Sequence, residues 1–175
     1  SPYLSDETAY QNGLRQIKSR KNGQFINLIS MQNHMPYSDY YSPNEYKDNV
    51  SGSSLADDNV KTSFAAYTKG VEYTDKAVKK FIKEIDEINK PITLVFYGDH
   101  YPSIIDQSLL SKYPIKMHST TYFIYSNKYA REHGAKNKIV PDKYIATSSF
   151  IPMALEQTNS KVTAYQALLT RIYKD

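Results

Sequence analysis

The sequence predicts an α/β fold, a central β-sheet covered by helices, from three observations. Residues 25–29 and 92–97 form short, nearly continuous apolar runs, the pattern of strands buried on both faces. Between them lies the clearest periodicity in the chain. Val60, Phe64, Tyr67, Val71, Thr74, Val78, Phe81, Ile85 and Ile88 recur at alternating four- and three-residue steps, one apolar stripe on a long helix. Finally, both apolar runs empty into polar turns, as strands of open sheets do where ligands bind.

The elements follow in order. Residues 5–20 read as a helix with Ser5 as N-cap and Asp6 and Glu7 in its first turn, where carboxylates suit the helix dipole. Tyr10, Leu14 and Ile17 share one face, and Asn22-Gly23 supplies a stop. Residues 24–30 predict the first strand, with Pro36 blocking continuation of the turn that follows. Residues 38–57, rich in Ser, Asp, Asn, Tyr, Pro and Gly, predict a long mobile loop. Residues 58–89 predict the long helix, continuous or broken near Gly70, and Lys90-Pro91 ends it. Residues 92–97 and 121–125 predict two further strands, expected to share one sheet with the first. Val71, Val78, Phe81 and Ile85 are expected to pack on that sheet. Short helices are predicted over 104–113, 146–157 and 162–173.

Composition narrows the chemistry. The chain has 175 residues, 40% hydrophobic and 23% charged, a globular composition able to bury one core. No apolar run approaches the roughly 20 residues that span a bilayer. Cysteine is absent, which excludes disulfides, thiolate metal sites and cysteine nucleophiles. The net charge is +4, and the lysines are spread without a dense block, which argues against nucleic acid as a partner.

Imidazole chemistry must come from His34, His100, His118 or His133. Two predicted strand ends carry polar pairs, Asn33-His34 and Asp99-His100. A carboxylate beside a neutral imidazole suits Mn²⁺, Mg²⁺ or Zn²⁺, and Gly98 lets the backbone turn there. Two ligands do not close a site, so further donors are required. His118 and His133 read as structural, the latter in an exposed turn. No nucleophile elbow and no phosphate-binding glycine loop occurs. Ser148-Ser149 reads as a helix cap and Thr120-Thr121 as part of a strand edge.

The segment FYGDHYPSI (96–104) resembles the second metal-binding motif of the sulfatase branch of the alkaline phosphatase superfamily, above all its lipoteichoic acid synthase and phosphoglycerol transferase group. Further segments resemble that group in the same order. LSDETAY (4–10) is similar to its "SDE" helix start, and FINLISMQNHMPY (25–37) to its strand followed by an Asn-His-x-Pro loop. FAAYTKGVEYTDKAVKKFI (64–82) is similar to its long helix, TTYFIYSN (120–127) to a later strand, and VPDKYIATSSFIPMALEQTN (140–159) to its closing helical region. Thr121 stands where the group has proline.

The resemblance implies an alkaline phosphatase/sulfatase-like fold, of which residues 1–175 are the C-terminal portion. It implies a divalent cation, manganese first, with Asp99 and His100 as ligands and His34 contacting the phosphoryl group. It also implies that a threonine attacks the phosphoryl group of a glycerophospholipid and passes glycerophosphate to an acceptor alcohol. That threonine and an acidic ligand lie upstream of the "SDE" segment in the group, as do its membrane helices. The expectation is therefore a fragment that binds metal weakly or not at all and does not turn over alone. Its parent would be an active enzyme on the extracellular face of a bacterial membrane. A sulfatase or phosphoethanolamine transferase relative would share the Gly-Asp-His motif, and an accessory domain could keep the fold without the chemistry.

Overall fold

The computed structural model describes residues 3–37, 41, 45, 50–51, 57–136 and 144–174. Most of 38–57 falls outside the described residues, and with it the expected mobile loop. The chain divides into two compact units, Ser1–Glu84 with Pro102–Leu109, and Ile85–Tyr101 with Leu110–Asp175.

In the first unit, α1 (Asp6–Ser19) starts where Ser5 accepts a hydrogen bond from the Thr8 amide at 3.2 Å. The helix buries Asp6, Tyr10, Gly13 and Leu14. Burial pushes the Tyr10 hydroxyl well above its ordinary pKa. The long helix α2 (Asp58–Asp86) runs alongside α1. The contacts advance together along both helices: Asp6 with Thr74, Tyr10 with Phe81 at 5.3 Å between ring centroids, and Gln11 with Glu84 at 2.7 Å. The two therefore run in the same direction. Tyr37, Ala65 and Ala66 form a core cluster, joined by Tyr67 and by Ile104 from the 102–109 segment.

In the second unit, β1 (Thr93–Tyr97) and β2 (Tyr122–Ser126) pair antiparallel, with Thr93 opposite Ser126 and Tyr97 opposite Tyr122. Phe96 and Phe123 stack across the ladder at 5.0 Å, as directly opposed aromatics can. Between the strands in sequence lie α3 (Ser108–Lys112), whose first two residues and the Asp106 before them belong to the first unit, and α4 (Pro114–Met117). Asp106 starts α3 by accepting the Ser108 amide at 2.8 Å, which holds its carboxyl below the usual range. Then come α5 (Lys128–Glu132), a 3-10 turn at Thr147–Ser149, α6 (Phe150–Gln157) and α7 (Ala164–Lys174). Phe150 of α6 sits between Tyr97 and Tyr122, at 4.8 and 5.2 Å. Ser149 occupies the N-cap position of α6 but makes no capping bond with its side chain.

The mixed α/β class holds, but the sheet differs from the expectation. Residues 24–30 make no strand hydrogen bonds, and the sheet has two strands among the described residues. Phe25 is 87% exposed and Ile29 76% exposed. An apolar run becomes a strand only where a ladder partner satisfies its backbone, and among the described residues 24–30 have none. The helix face differs too. Val71 is exposed and Phe81 packs on Tyr10 of α1, whereas Ile85 is fully buried. The residues buried on α2 include Ala65, Ala66, Gly70 and Ala77, small side chains that a hydrophobic count underweights.

Candidate functional site

Strand β1 delivers Gly98, Asp99 and His100 to its carboxyl end. The strand end is closed by the Gly98 amide, which donates to the Thr121 carbonyl at 3.2 Å, and by the Thr120 hydroxyl, which donates to the Gly98 carbonyl. A Cβ on residue 98 would lie 3.2 Å from the Thr120 Cβ, so glycine allows this closure. The chain then turns, and the Asp99 carboxylate accepts the His100 amide at 2.9 Å.

His100 Nδ1 lies 2.8 Å from the Tyr101 carbonyl. A carbonyl only accepts, so a neutral ring places its proton on Nδ1 and its lone pair on Nε2. That nitrogen is 3.5 Å from Asp99 Oδ2. An imidazole lone pair and a carboxylate oxygen thus stand side by side, a donor set that fits a divalent cation. The side chains of Asp99 and His100 are 79% and 69% exposed, so water reaches both. Among the described residues no group of three or more His, Asp or Glu side chains gathers around a metal position.

His34 lies in the first unit, in the turn after residue 30. Its Nδ1 lies 2.8 Å from the Met35 carbonyl, so it shares the geometry of His100: the ring bonds the carbonyl of the next residue. The Tyr3 hydroxyl donates to the same carbonyl at 3.2 Å, and the Tyr3 ring meets the imidazole edge-on at 5.6 Å. His118 and His133 are used differently. Their Nδ1 atoms lie 2.7 Å from the Pro114 and Tyr129 carbonyls, four residues back at the ends of α4 and α5. Such bonds satisfy orphan helix carbonyls. The structure therefore brings Asp99 and His100 together in one unit and holds His34 in the other.

Sequence reasoning paired Asn33 with His34 but missed Gln32 and the bonds that hold both. Gln32 is buried and Asn33 is half-buried, and both bond to α2 through Thr74. Their position two and one residues before the histidine was the available signal.

No helix among the described residues is long and apolar enough to cross a membrane. No curated protein matches the chain significantly. Among solved structures the chain is similar to Streptococcus pyogenes phosphoglycerol transferase GacH in complex with sn-glycerol-1-phosphate. The TM-score is 0.76 and the identity 35%, over 98% of this chain and 42% of that one. The chain thus spans less than half the length of that structure. The family model for Sulfatase matches residues 1–160. With that match over most of its length, and with the strand-end Gly-Asp-His turn in place, the chain belongs to the sulfatase family.

Proposed function

We propose that this chain is the metal-binding and phosphoryl-facing part of a phosphoglycerol transferase. The observation that carries the reading is the Asp99-His100 pair at the end of β1, with Nε2 and Oδ2 presented together 3.5 Å apart. Asp99 and His100 would hold a divalent cation, Mn²⁺ first, through those atoms. Such a cation lowers the pKa of a bound hydroxyl and offsets phosphoryl charge. His34, with Nδ1 tied to the Met35 carbonyl, is the residue that contacts a phosphoryl oxygen of the substrate. In its cationic form it would donate from Nε2 to that oxygen and stabilise charge as it builds.

The substrate class is a glycerophospholipid head group, transferred as phosphoglycerol to an acceptor alcohol outside the cell membrane. The 35% identity to a phosphoglycerol transferase supports this over sulfate-ester hydrolysis. The nucleophilic threonine and the further acidic ligand belong to sequence upstream of the "SDE" helix, and this chain supplies the other half of the site.

The test uses the full-length protein with a fluorescent phosphatidylglycerol analogue and Mn²⁺. Turnover is expected, and Asp99→Ala or His100→Ala should abolish it. His34→Ala should lower kcat by about 100-fold or more, the scale of a lost general acid or oxyanion donor. Sulfate-ester hydrolysis without phosphoglycerol transfer would overturn the reading, as would full activity in Asp99→Ala.

A further inference from the structure

We infer that Thr74, in the middle of α2, is a positioning residue that sets His34 through the two side chains before it. The inference rests on the proposed role of His34. It deepens that role by naming what holds the histidine in place.

The Thr74 hydroxyl has one proton and two lone pairs, and the structure engages all three. Its proton has two acceptors in reach, Asp6 Oδ2 at 2.6 Å and the Gly70 carbonyl at 3.2 Å. The shorter contact, to Asp6 Oδ2, takes it. The lone pairs then face Asn33 Nδ2 at 2.8 Å and Gln32 Nε2 at 3.4 Å. Gln32 is held at both ends of its amide. Its Oε1 accepts the Asp6 amide at 3.0 Å, one of the orphan donors of the α1 N-terminus, and its Nε2 also donates to the Gly70 carbonyl at 3.1 Å.

Burial makes this arrangement stiff. Asp6 is 1% exposed and Gln32 7%. Buried polar groups bonded on several sides have few alternative positions, because leaving a partner costs desolvation without return. Gly70 is part of the same fit. A Cβ at that position would lie 2.3 Å from Asn33 Oδ1, so only glycine lets the turn seat this closely on α2. Residues 32 and 33 are thereby fixed to two helices, and His34 follows on a short tether. Its ring can place Nε2 reproducibly because the two side chains before it are bonded to α1 and α2. A misplacement near 1 Å at a reacting group costs about 100-fold in rate.

The experiment compares wild type, Thr74→Val and Thr74→Ser in the full-length protein, with two readouts. Hydrogen–deuterium exchange of the 31–37 peptide should rise severalfold in Thr74→Val, while peptides covering β1 and β2 keep their wild-type rates. With the phosphatidylglycerol analogue, kcat should fall about 10- to 100-fold while KM stays within about threefold. Thr74→Ser keeps the hydroxyl and should restore both readouts. If Thr74→Val does not fold, Asn33→Ala removes one bond of the set without touching α2 and should give the same split. Unchanged exchange in 31–37 overturns the clamp, and raised exchange with wild-type kcat overturns the positioning role. A kcat loss that Thr74→Ser does not rescue also counts against it. Absence of turnover in the wild type would instead sink the transferase reading, and the exchange measurement would still decide whether the clamp exists.

Discussion

Single residues here do more structural work than their types announce. Asn127 is fully buried. Its Oδ1 accepts the Ala130 amide, capping α5, and the Ile92 amide before β1, both at 3.0 Å. Its Nδ2 lies within bonding distance of the Ile85, Ile88 and Lys90 carbonyls. Asn127→Ala should cost about 3 kcal/mol, the combined scale of a lost cap and buried groups left unpaired, measurable by urea denaturation. Glu72 shows the opposite, exposed case. Lys69 at 2.8 Å and Lys76 both donate to it, and together they pull its pKa down to about 2. A lowered folded-state pKa contributes stability that is fully present above the ordinary carboxyl value of 4.5 and is lost as pH falls through about 2. NMR titration should place its midpoint near 2 at low salt and move it upward in about 1 M salt, where screening is strong. Neither behaviour was legible in the sequence. A lone Asn after a strand and a Lys-x-x-Glu-x-x-x-Lys spacing are common, and only the surrounding carbonyls and rotamers decide what they do.

Elements were read more reliably than their partners. The two long helices, β1 and β2, and the closing helices stand close to their predicted positions, because caps and periodicity are local signals. The failure lies at residues 24–30, whose strand character depends on a ladder partner. Phe25→Ser tests this. A core strand would lose about 3–5 kcal/mol on losing its phenylalanine, whereas an 87% exposed side chain should change stability by less than about 0.5 kcal/mol. The helix pair gives the contrasting case. Phe81 is half-buried against Tyr10, so Phe81→Ala should cost about 2–3 kcal/mol, below the fully buried range. Its effect should shrink in a Tyr10→Ala background, since neighbours in contact are not additive.

For the molecule as a whole, the donor set is the deciding quantity. In the proposed role Asp99 and His100 would provide two protein ligands, and a hard cation bound by two ligands keeps most of its water. Calorimetric titration of Mn²⁺ into the 175-residue chain should therefore show weak binding, and Asp99→Ala should remove what there is. The same chain should not turn over a phosphatidylglycerol analogue, because among the described residues no hydroxyl is bonded to Asp99 or His100. Tight binding or turnover by the chain alone would show that a complete site lies within these residues.

The sequence by itself determined the α/β class, the helix start at Ser5, the Gly-Asp-His turn and the kinship to phosphoglycerol transferases. These follow from local propensity, capping chemistry and short motifs, which need no knowledge of what is near in space. Tertiary structure alone decided which face of α2 is buried, since Ala66, Gly70 and Ala77 admit neighbours that larger side chains would exclude. It also decided that Gln32, Asn33, Asp6 and Thr74 form one bonded set, although they lie up to 68 residues apart. Hydrogen bonds over such separations carry no periodic signature, and they form only where packing has already brought the partners together.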